Sequence, residues 1–275
     1  RMMLETDAEE RQADWNSIDV YGARTYIVRL QDEEGVSKTS ILRKLSGMRT
    51  FYRFMQREGL ARSNPFFGLK APKREKLLPK YMSVDEVGRL LDAPAIHWRD
   101  AYQKGYAKDE DSAHFAAARD AAILEVIYSG GLRISEAIGL DLEDLDLVSG
   151  VMRVRGKGNK ERVVYFDART KIHLQNYLNS RTDDNPALFV SLKAPHERLK
   201  IGGIETRLRE FGKQLGLHKV HPHKFRRTLA TMAIDKGMPI EQLQQLLGHR
   251  KIDTTLQYAM VKQSNVKIAH RKYIG

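Results

Sequence analysis

The chain has no cysteine, which excludes disulfides, a thiolate metal site and a cysteine nucleophile. It also has no run of about 18 apolar residues, so no bilayer-spanning helix is expected. The first residues lack the apolar core of a signal peptide, and internal repeats and low-complexity tracts are absent. A cytoplasmic protein is the expectation that fits these absences. What the chain does have is positive charge: 47 Lys plus Arg against 35 Asp plus Glu, a formal net charge of +12. An excess of that size calls for a polyanionic partner, nucleic acid before an anionic membrane. The 275 residues allow one large domain or two ordinary ones, each able to bury a core.

The charge is unevenly placed. Residues 1–37 carry four arginines against nine acids, whereas residues 38–80 carry twelve Lys or Arg against Glu58 and Glu75 alone. From Ser37 the pattern is helical, with Thr39 or Ser40 as candidate caps and Ile41, Leu45, Met48, Tyr52 and Met55 at steps of four and three. Gly59 offers a stop. Arg49, Arg53 and Arg57 recur on another face of the same helix. Together with Arg43, Lys44 and the run from Lys70 to Lys80, which includes Lys73 and Arg74, they suggest a phosphate-facing surface.

Residues 73–81 read as an extended, basic linker, preceded by Pro72 and containing Pro79. This divides the chain into a small helical domain over 1–72 and a larger one over 82–275. Ser83, with Glu86 three residues on, forms a capping box that opens the second domain. Ala117 to Tyr128 reads as a buried helix, Gly130-Gly131 as a turn, and a further helix begins near Ser135. Val151 to Arg155 and Arg162 to Phe166 flank Gly156-Lys-Gly-Asn-Lys160, a β-hairpin with a basic turn containing Lys157 and Lys160. Helical pattern returns past residue 170. Breaks are expected at Gly212, Gly216 and Gly237, and a start at Met238-Pro239. The class is mainly α with a small antiparallel sheet.

Six residues carry chemistry when taken together: Arg133, Lys157, His223, Arg226, His249 and Tyr258. Attack of a tyrosine on a phosphodiester requires loss of a proton whose free pKa is about 10. It also requires fixed donors for the phosphorane oxygens and a proton for the leaving oxygen. Arginine suits the second task, because its guanidinium stays charged and binds oxygens as a fork. A lysine on a mobile turn suits the third, and histidine can accept or donate near neutral pH. His223 and Arg226 stand at i and i+3 and share a helix face. His249 follows Gly248, just past a helix from Ile240 to Leu247, and Asp253 is placed to cap the helix bearing Tyr258. Singly, each residue has an ordinary structural reading: packing for Tyr258, a core histidine for His223, a turn lysine for Lys157.

These motifs resemble the tyrosine recombinases (the phage integrase family), and most closely the compact bacterial Xer type. The similarity rests on Gly131-Leu-Arg133-Ile-Ser-Glu136, Lys157 in the hairpin turn, His221-Pro222 before His223-Lys-Phe-Arg226, Gly248-His249, and Tyr258 nine residues on. It also takes in Asn64-Pro65 and Lys70-Ala-Pro72, which match the family's domain junction. The resemblance implies a helical, SAM-like core-binding domain and a catalytic domain that form a C-shaped clamp on duplex DNA. It implies Tyr258 as nucleophile in a 3′-phosphotyrosine intermediate, Arg133 and Arg226 on the non-bridging oxygens, and Lys157 as general acid. His223 would assist proton transfer and His249 would bond the phosphate. No metal, ATP or other cofactor is implied, because the phosphotyrosine conserves the bond energy.

As partners it implies a homotetramer or heterotetramer on two DNA duplexes, joined through a Holliday junction, with an accessory or divisome activator. The role is chromosome or plasmid dimer resolution, or integration and excision of a mobile element; a type IB topoisomerase and a non-catalytic DNA-binding protein are further alternatives. Three departures stand out. Arg227 occupies a position where the family often has histidine. Residues 93–116 read as a long connection, a solvated insertion or a partner contact. The N-terminus lacks the first full helix of a core-binding domain, as in a trimmed chain. The tail, 261–275, reads as a short helix docked on its own domain or on a neighbouring protomer.

Overall fold

The computed structural model describes residues 15–72, 81–156, 158, 160–217, 219–259, 270, 271 and 274. The chain divides into two compact units, Arg1–Leu77 and Leu78–Gly275.

In the first unit, Asp19 caps α1 (Val20–Asp32), its carboxylate accepting from the Gly22 N–H at 2.7 Å. The sequence pattern does not announce this helix. Its buried residues are only Ala23 and Leu30, while Val20, Tyr21 and Val28 are exposed, so no continuous apolar stripe appears. The basic helix is α2 (Lys38–Arg57), and its cap is Ser37, two or three residues before the expected ones; the Ser40 N–H donates to Ser37 Oγ. Ile41, Leu45, Tyr52 and Met55 are buried as the spacing requires. Tyr52 anchors this core by donating to the Trp15 carbonyl at 3.2 Å. Gly59 leaves the helix at φ 72°. Residues 1–14 and 73–80, on which the missing-helix and linker expectations fall, lie outside the described residues.

The second unit opens on α3 (Val84–Gln103), held by the Ser83–Glu86 capping box. The long connection expected over 93–116 is instead mostly helix, interrupted only over 104–109. α3 continues through a buried Pro94, and α4 (Glu110–Ser129) begins soon after. A proline removes one backbone donor, but here packing keeps the helix going. His97 and Trp98 are part of that packing. The Trp98 indole donates to Asp120 at 2.9 Å and its face carries the Arg207 guanidinium at 4.4 Å. α4 is the central rod, buried continuously from Arg119 to Ile127, so side chains from other elements surround it on every side.

After α5 (Ile134–Ile138) and a 3-10 turn, β1 (Leu145–Asp146), β2 (Val151–Arg155) and β3 (Glu161–Tyr165) form an antiparallel sheet in the order β1-β2-β3. Val151 pairs with Tyr165 and Arg155 with Glu161, which buries Met152, Val154 and Val164 on one face. α6 (Ala168–Asn179) packs on α4. α7 (Ile201–Gln214) runs straight through Gly212. That glycine is no break: a Cβ there would lie 2.7 Å from Val220, so its role is close packing. α8 (Pro222–Asp235), α9 (Ile240–Leu247) and α10 (Asp253–Ala259) follow, with turns at Gly216 and Gly237 as expected. Asp253 falls in the first turn of α10. Most of the tail, 261–275, lies outside the described residues. No described helix is long and apolar enough to cross a membrane.

Candidate active site

The site is assembled where α5, α8, α9 and α10 meet the hairpin, all within the second unit. Gly130 ends α4, and Gly131 turns the chain at φ 57°. A Cβ on Gly131 would stand 2.7 Å from Leu229 and 3.0 Å from Leu247, so only glycine lets α8 and α9 close on this turn. Arg133 then caps α5. Its guanidinium donates to Glu136 Oε1 at 2.6 Å, and its backbone N–H to Oε2 at 2.9 Å.

Glu136 is the hub. It is 6% exposed and also takes a two-pronged bond from Arg162 of β3, at 3.0 and 2.9 Å. Burial alone would raise its pKa, but hydrogen bonds from Arg162 and from the Arg133 backbone outweigh it and leave the carboxyl below its ordinary range. Arg162 Nε reaches the Leu246 carbonyl at 3.3 Å, which ties the hairpin to the end of α9.

Arg226 lies on α8 and is almost fully buried. One guanidinium nitrogen donates to the Gly131 carbonyl at 2.5 Å and the other to the Leu247 carbonyl. These contacts join the Arg133 turn to the His249 loop. Desolvation, and then repulsion from Arg133, hold its pKa down to about 10, so it remains charged at neutral pH.

His249 follows Gly248, which ends α9 in the left-handed conformation at φ 61° and lets the Arg162 side chain pass within 3.1 Å of where a Cβ would be. The His249 N–H donates to the Gln244 carbonyl at 3.1 Å, and the Gln244 amide returns a bond to the His249 carbonyl at 3.0 Å. Nδ1 is 2.9 Å from Thr255 Oγ1. Burial, then the positive charges of Arg226, Arg133 and Arg162, hold the imidazole pKa down to about 4, so it is neutral. The Tyr258 ring faces it at 6.3 Å between centroids and packs against the cluster of Ala230, Leu243 and Leu247.

The structure thus brings together Arg133, Arg226, His249 and Tyr258. His223 sits exposed in the first turn of α8, one turn before Arg226, with its ring 6.4 Å from His221. No hydrogen bond or ring contact joins it to the other four among the described residues. Lys157 lies outside the described residues. Its neighbour Gly158 stands close to Arg250, whose guanidinium is 3.1 Å from the site of a Cβ there, which puts the hairpin turn beside the His249 loop. The sequence alone assigns no role to Glu136, Arg162 or Thr255; for the first two the available signal is an acid beside Arg133 and an arginine at the end of the hairpin turn.

Of the basic residues, Arg43, Lys44, Arg53, Lys70 and Lys160 are exposed. Arg49 is engaged with its own unit, donating to the Phe66 carbonyl at 2.9 Å and the Leu69 carbonyl at 2.6 Å. Lys73 and Arg74 lie outside the described residues.

A helical domain before a mainly α domain with a three-stranded sheet, and a tyrosine set against clustered arginines, define the tyrosine recombinase class. Residues 80–265 match the model of the phage integrase family, and residues 2–59 that of the phage integrase N-terminal SAM-like domain. The chain belongs to the phage integrase family and is an enzyme, a site-specific DNA recombinase of Xer-like kind. It is 38% identical over 250 residues to tyrosine recombinase XerC of Pseudomonas aeruginosa, covering 90% of this chain and 76% of that protein. Against tyrosine recombinase XerC of Leptospira interrogans the identity is 35% over 266 residues, covering 96% and 81%. Among solved structures, XerA recombinase is similar at 28% identity with a TM-score of 0.57, covering 94% of this chain and 84% of that one. XerH bound to its difH substrate, at 18% identity and a TM-score of 0.70, shares the fold and covers 98% and 75%.

Proposed function

We propose that this recombinase cuts duplex DNA through Tyr258 and rejoins it to a partner strand, in the service of resolving chromosome or plasmid dimers in the cytoplasm. The observation that carries this reading is the convergence of Arg133, Arg226 and His249 beside Tyr258, with the arginines held in place by buried contacts. In the proposed reaction Tyr258 Oη attacks phosphorus and the P–O5′ bond breaks. The 5′-oxygen takes a proton from Lys157, leaving a 3′-phosphotyrosine and a 5′-hydroxyl. Two fixed guanidinium groups stabilise the extra negative charge of the phosphorane, the kind of preorganised donor set that contributes most to such reactions.

His249, neutral before DNA arrives, offers Nε2 as a further phosphate contact. His223, exposed one helical turn from Arg226, is free to exchange protons with the tyrosine or with solvent. The reverse attack by a 5′-hydroxyl from another strand restores the phosphodiester and frees Tyr258. Arg43, Lys44, Arg53, Lys70, Lys73, Arg74 and Lys160 are proposed as backbone contacts on the DNA, with Arg49 shaping the junction that presents them. The division at residues 72 and 82, the clamp and a tetramer on two duplexes belong to the same reading. The likeness to XerC proteins favours dimer resolution over movement of an element.

The test is a nicked suicide substrate carrying candidate recombination sites. The wild-type protein is expected to trap a covalent 3′ adduct and Tyr258→Phe to bind the same DNA without one. An adduct that persists in Tyr258→Phe defeats the assignment.

A further inference from the structure

We propose that Thr255 is a positioning residue that makes the orientation of His249 depend on docking of the helix that carries Tyr258. The proposal rests on the catalytic reading above and goes beyond it by naming what sets the histidine.

Thr255 is fully buried, and its hydroxyl lies 2.9 Å from His249 Nδ1. It stands three residues before Tyr258 on α10, so the two side chains share a helix face. His249 therefore meets α10 twice, through a hydrogen bond at Nδ1 and through the facing phenol ring at 6.3 Å. By contrast, α9 holds only the backbone of the His249 loop: the Gln244 carbonyl accepts from the His249 N–H, and the Gln244 amide donates to the His249 carbonyl. Position of the loop thus comes from α9, and rotation of the ring from Thr255.

With Nδ1 occupied, Nε2 is the ring nitrogen left to address a phosphate oxygen. The imidazole is neutral in this setting because burial and three neighbouring arginines disfavour its protonated form. A neutral ring has one donor and one acceptor nitrogen, and because a hydroxyl can donate to Nδ1, Thr255 allows the tautomer whose Nε2–H donates to a phosphate oxygen. α10 has seven residues and docks on α8 and α9. If it lifts away, the nucleophile and the partner of His249 leave together. A protomer with its tyrosine withdrawn would then also have a disordered histidine, so the two lose competence as a unit.

The experiment uses the full chain with Thr255→Val, Thr255→Ser and His249→Ala in single-turnover cleavage of the suicide substrate, with DNA binding measured alongside. Thr255→Val is expected to lower the cleavage rate about 10- to 100-fold, by analogy with the loss when the partner orienting a metal-bound histidine is removed, with DNA affinity unchanged. Thr255→Ser keeps the hydroxyl and is expected to stay near the wild-type rate. In the His249→Ala background Thr255→Val should cause no further loss. Ring-nitrogen NMR of His249 should show a shifted Nδ1 resonance in Thr255→Val and not in Thr255→Ser.

A loss in Thr255→Ser with none in Thr255→Val would mean that methyl packing matters rather than the hydroxyl, and equal losses in both would mean that the site responds to any change of shape; either would overturn the proposal. So would an undiminished effect of Thr255→Val in the His249→Ala background. Should Thr255→Val fail to fold, Thr255→Ala takes its place: a slow alanine variant beside a normal serine variant is the expected result, and equal rates in the two would overturn the proposal. Absence of any adduct with wild-type protein would instead defeat the catalytic reading itself.

Discussion

Two buried glutamates in the second unit face arginines and behave in opposite ways. Glu125, near the C-terminal end of α4, meets Arg169 at 2.5 Å and His173 at 3.7 Å, yet burial wins and its pKa is raised. Glu136, at the candidate active site, is also buried, and its pKa is lowered against the same penalty. The difference lies in the donors. Arg169 is 46% exposed and shared with Asp92, so water competes for it. Glu136 has two arginines and a backbone N–H converging on both oxygens. A carboxylate deprived of water stays ionised only where such donors replace the water. At Glu136 that ionised state in turn holds Arg133 and Arg162.

Glu136→Gln is the harshest way to break this contrast. It leaves Arg133 and Arg162 without their counter-charge, and truncating one partner of a buried ion pair costs about 3–5 kcal/mol. Adduct formation should fall about 100- to 1000-fold as Arg133 loses its position. Denaturant melts and single-turnover cleavage measure the two effects. Glu125→Gln should change stability by less than about 1 kcal/mol, because its exposed partner can return to water. Equal destabilisation by the two variants would remove the distinction drawn between them.

Acid sharpens the comparison, because the signs differ. The depressed pKa of Glu136 means that the unfolded chain takes up the proton first. Its contribution is complete above the ordinary glutamate value of about 4.3 and is lost as pH falls through the folded value. Glu125 runs the other way: the folded form takes the proton first, so stability rises as pH falls through its raised pKa. His249 follows the sign of Glu136. Its folded pKa of about 4 lies below the ordinary value of about 6.5, so stability is lost between those limits as the unfolded chain protonates. Melting temperatures of wild type, Glu125→Gln and His249→Asn across pH 4 to 7 test this. His249→Asn should flatten the acid slope, and Glu125→Gln should steepen it.

Much of this site was legible before any coordinates, but by residue type rather than by contact. Arg133, Arg226, His249 and Tyr258 announce themselves because few combinations serve phosphoryl chemistry. The capping box and the hairpin are likewise local in sequence, and both formed as their residues required. What stayed hidden depends on tertiary contact. Glu136 meets Arg162 across 26 positions, and Arg226 meets the Gly131 carbonyl across 95. No spacing rule reaches that far. α1 escaped because its buried face is only Ala23 and Leu30; the start of α3 was legible in its capping box, but its continuation past residue 93, through Pro94, depends on packing.

The smallest expected effects lie in the first unit, where charge works by the opposite rule. Arg43, Lys44, Arg53 and Lys70 are exposed, and water already solvates them. Their proposed contribution is release of counterions from DNA, which is insensitive to ångström-scale placement. Each phosphate contact should add about 0.9 to the slope of log affinity against log salt. Lys44→Ala with Arg53→Ala should therefore weaken binding alike on any sequence, reduce that slope by about 2, and leave stability nearly unchanged. The cleavage rate of DNA already bound should not alter, since neither side chain is near Tyr258 in the sequence or belongs to its unit. Salt-dependent binding isotherms and saturating single-turnover assays check this. A slowed cleavage step with an unchanged slope would show that these residues act by geometry, as Glu136 does, and the contrast between exposed and buried charge would fail at its weaker end.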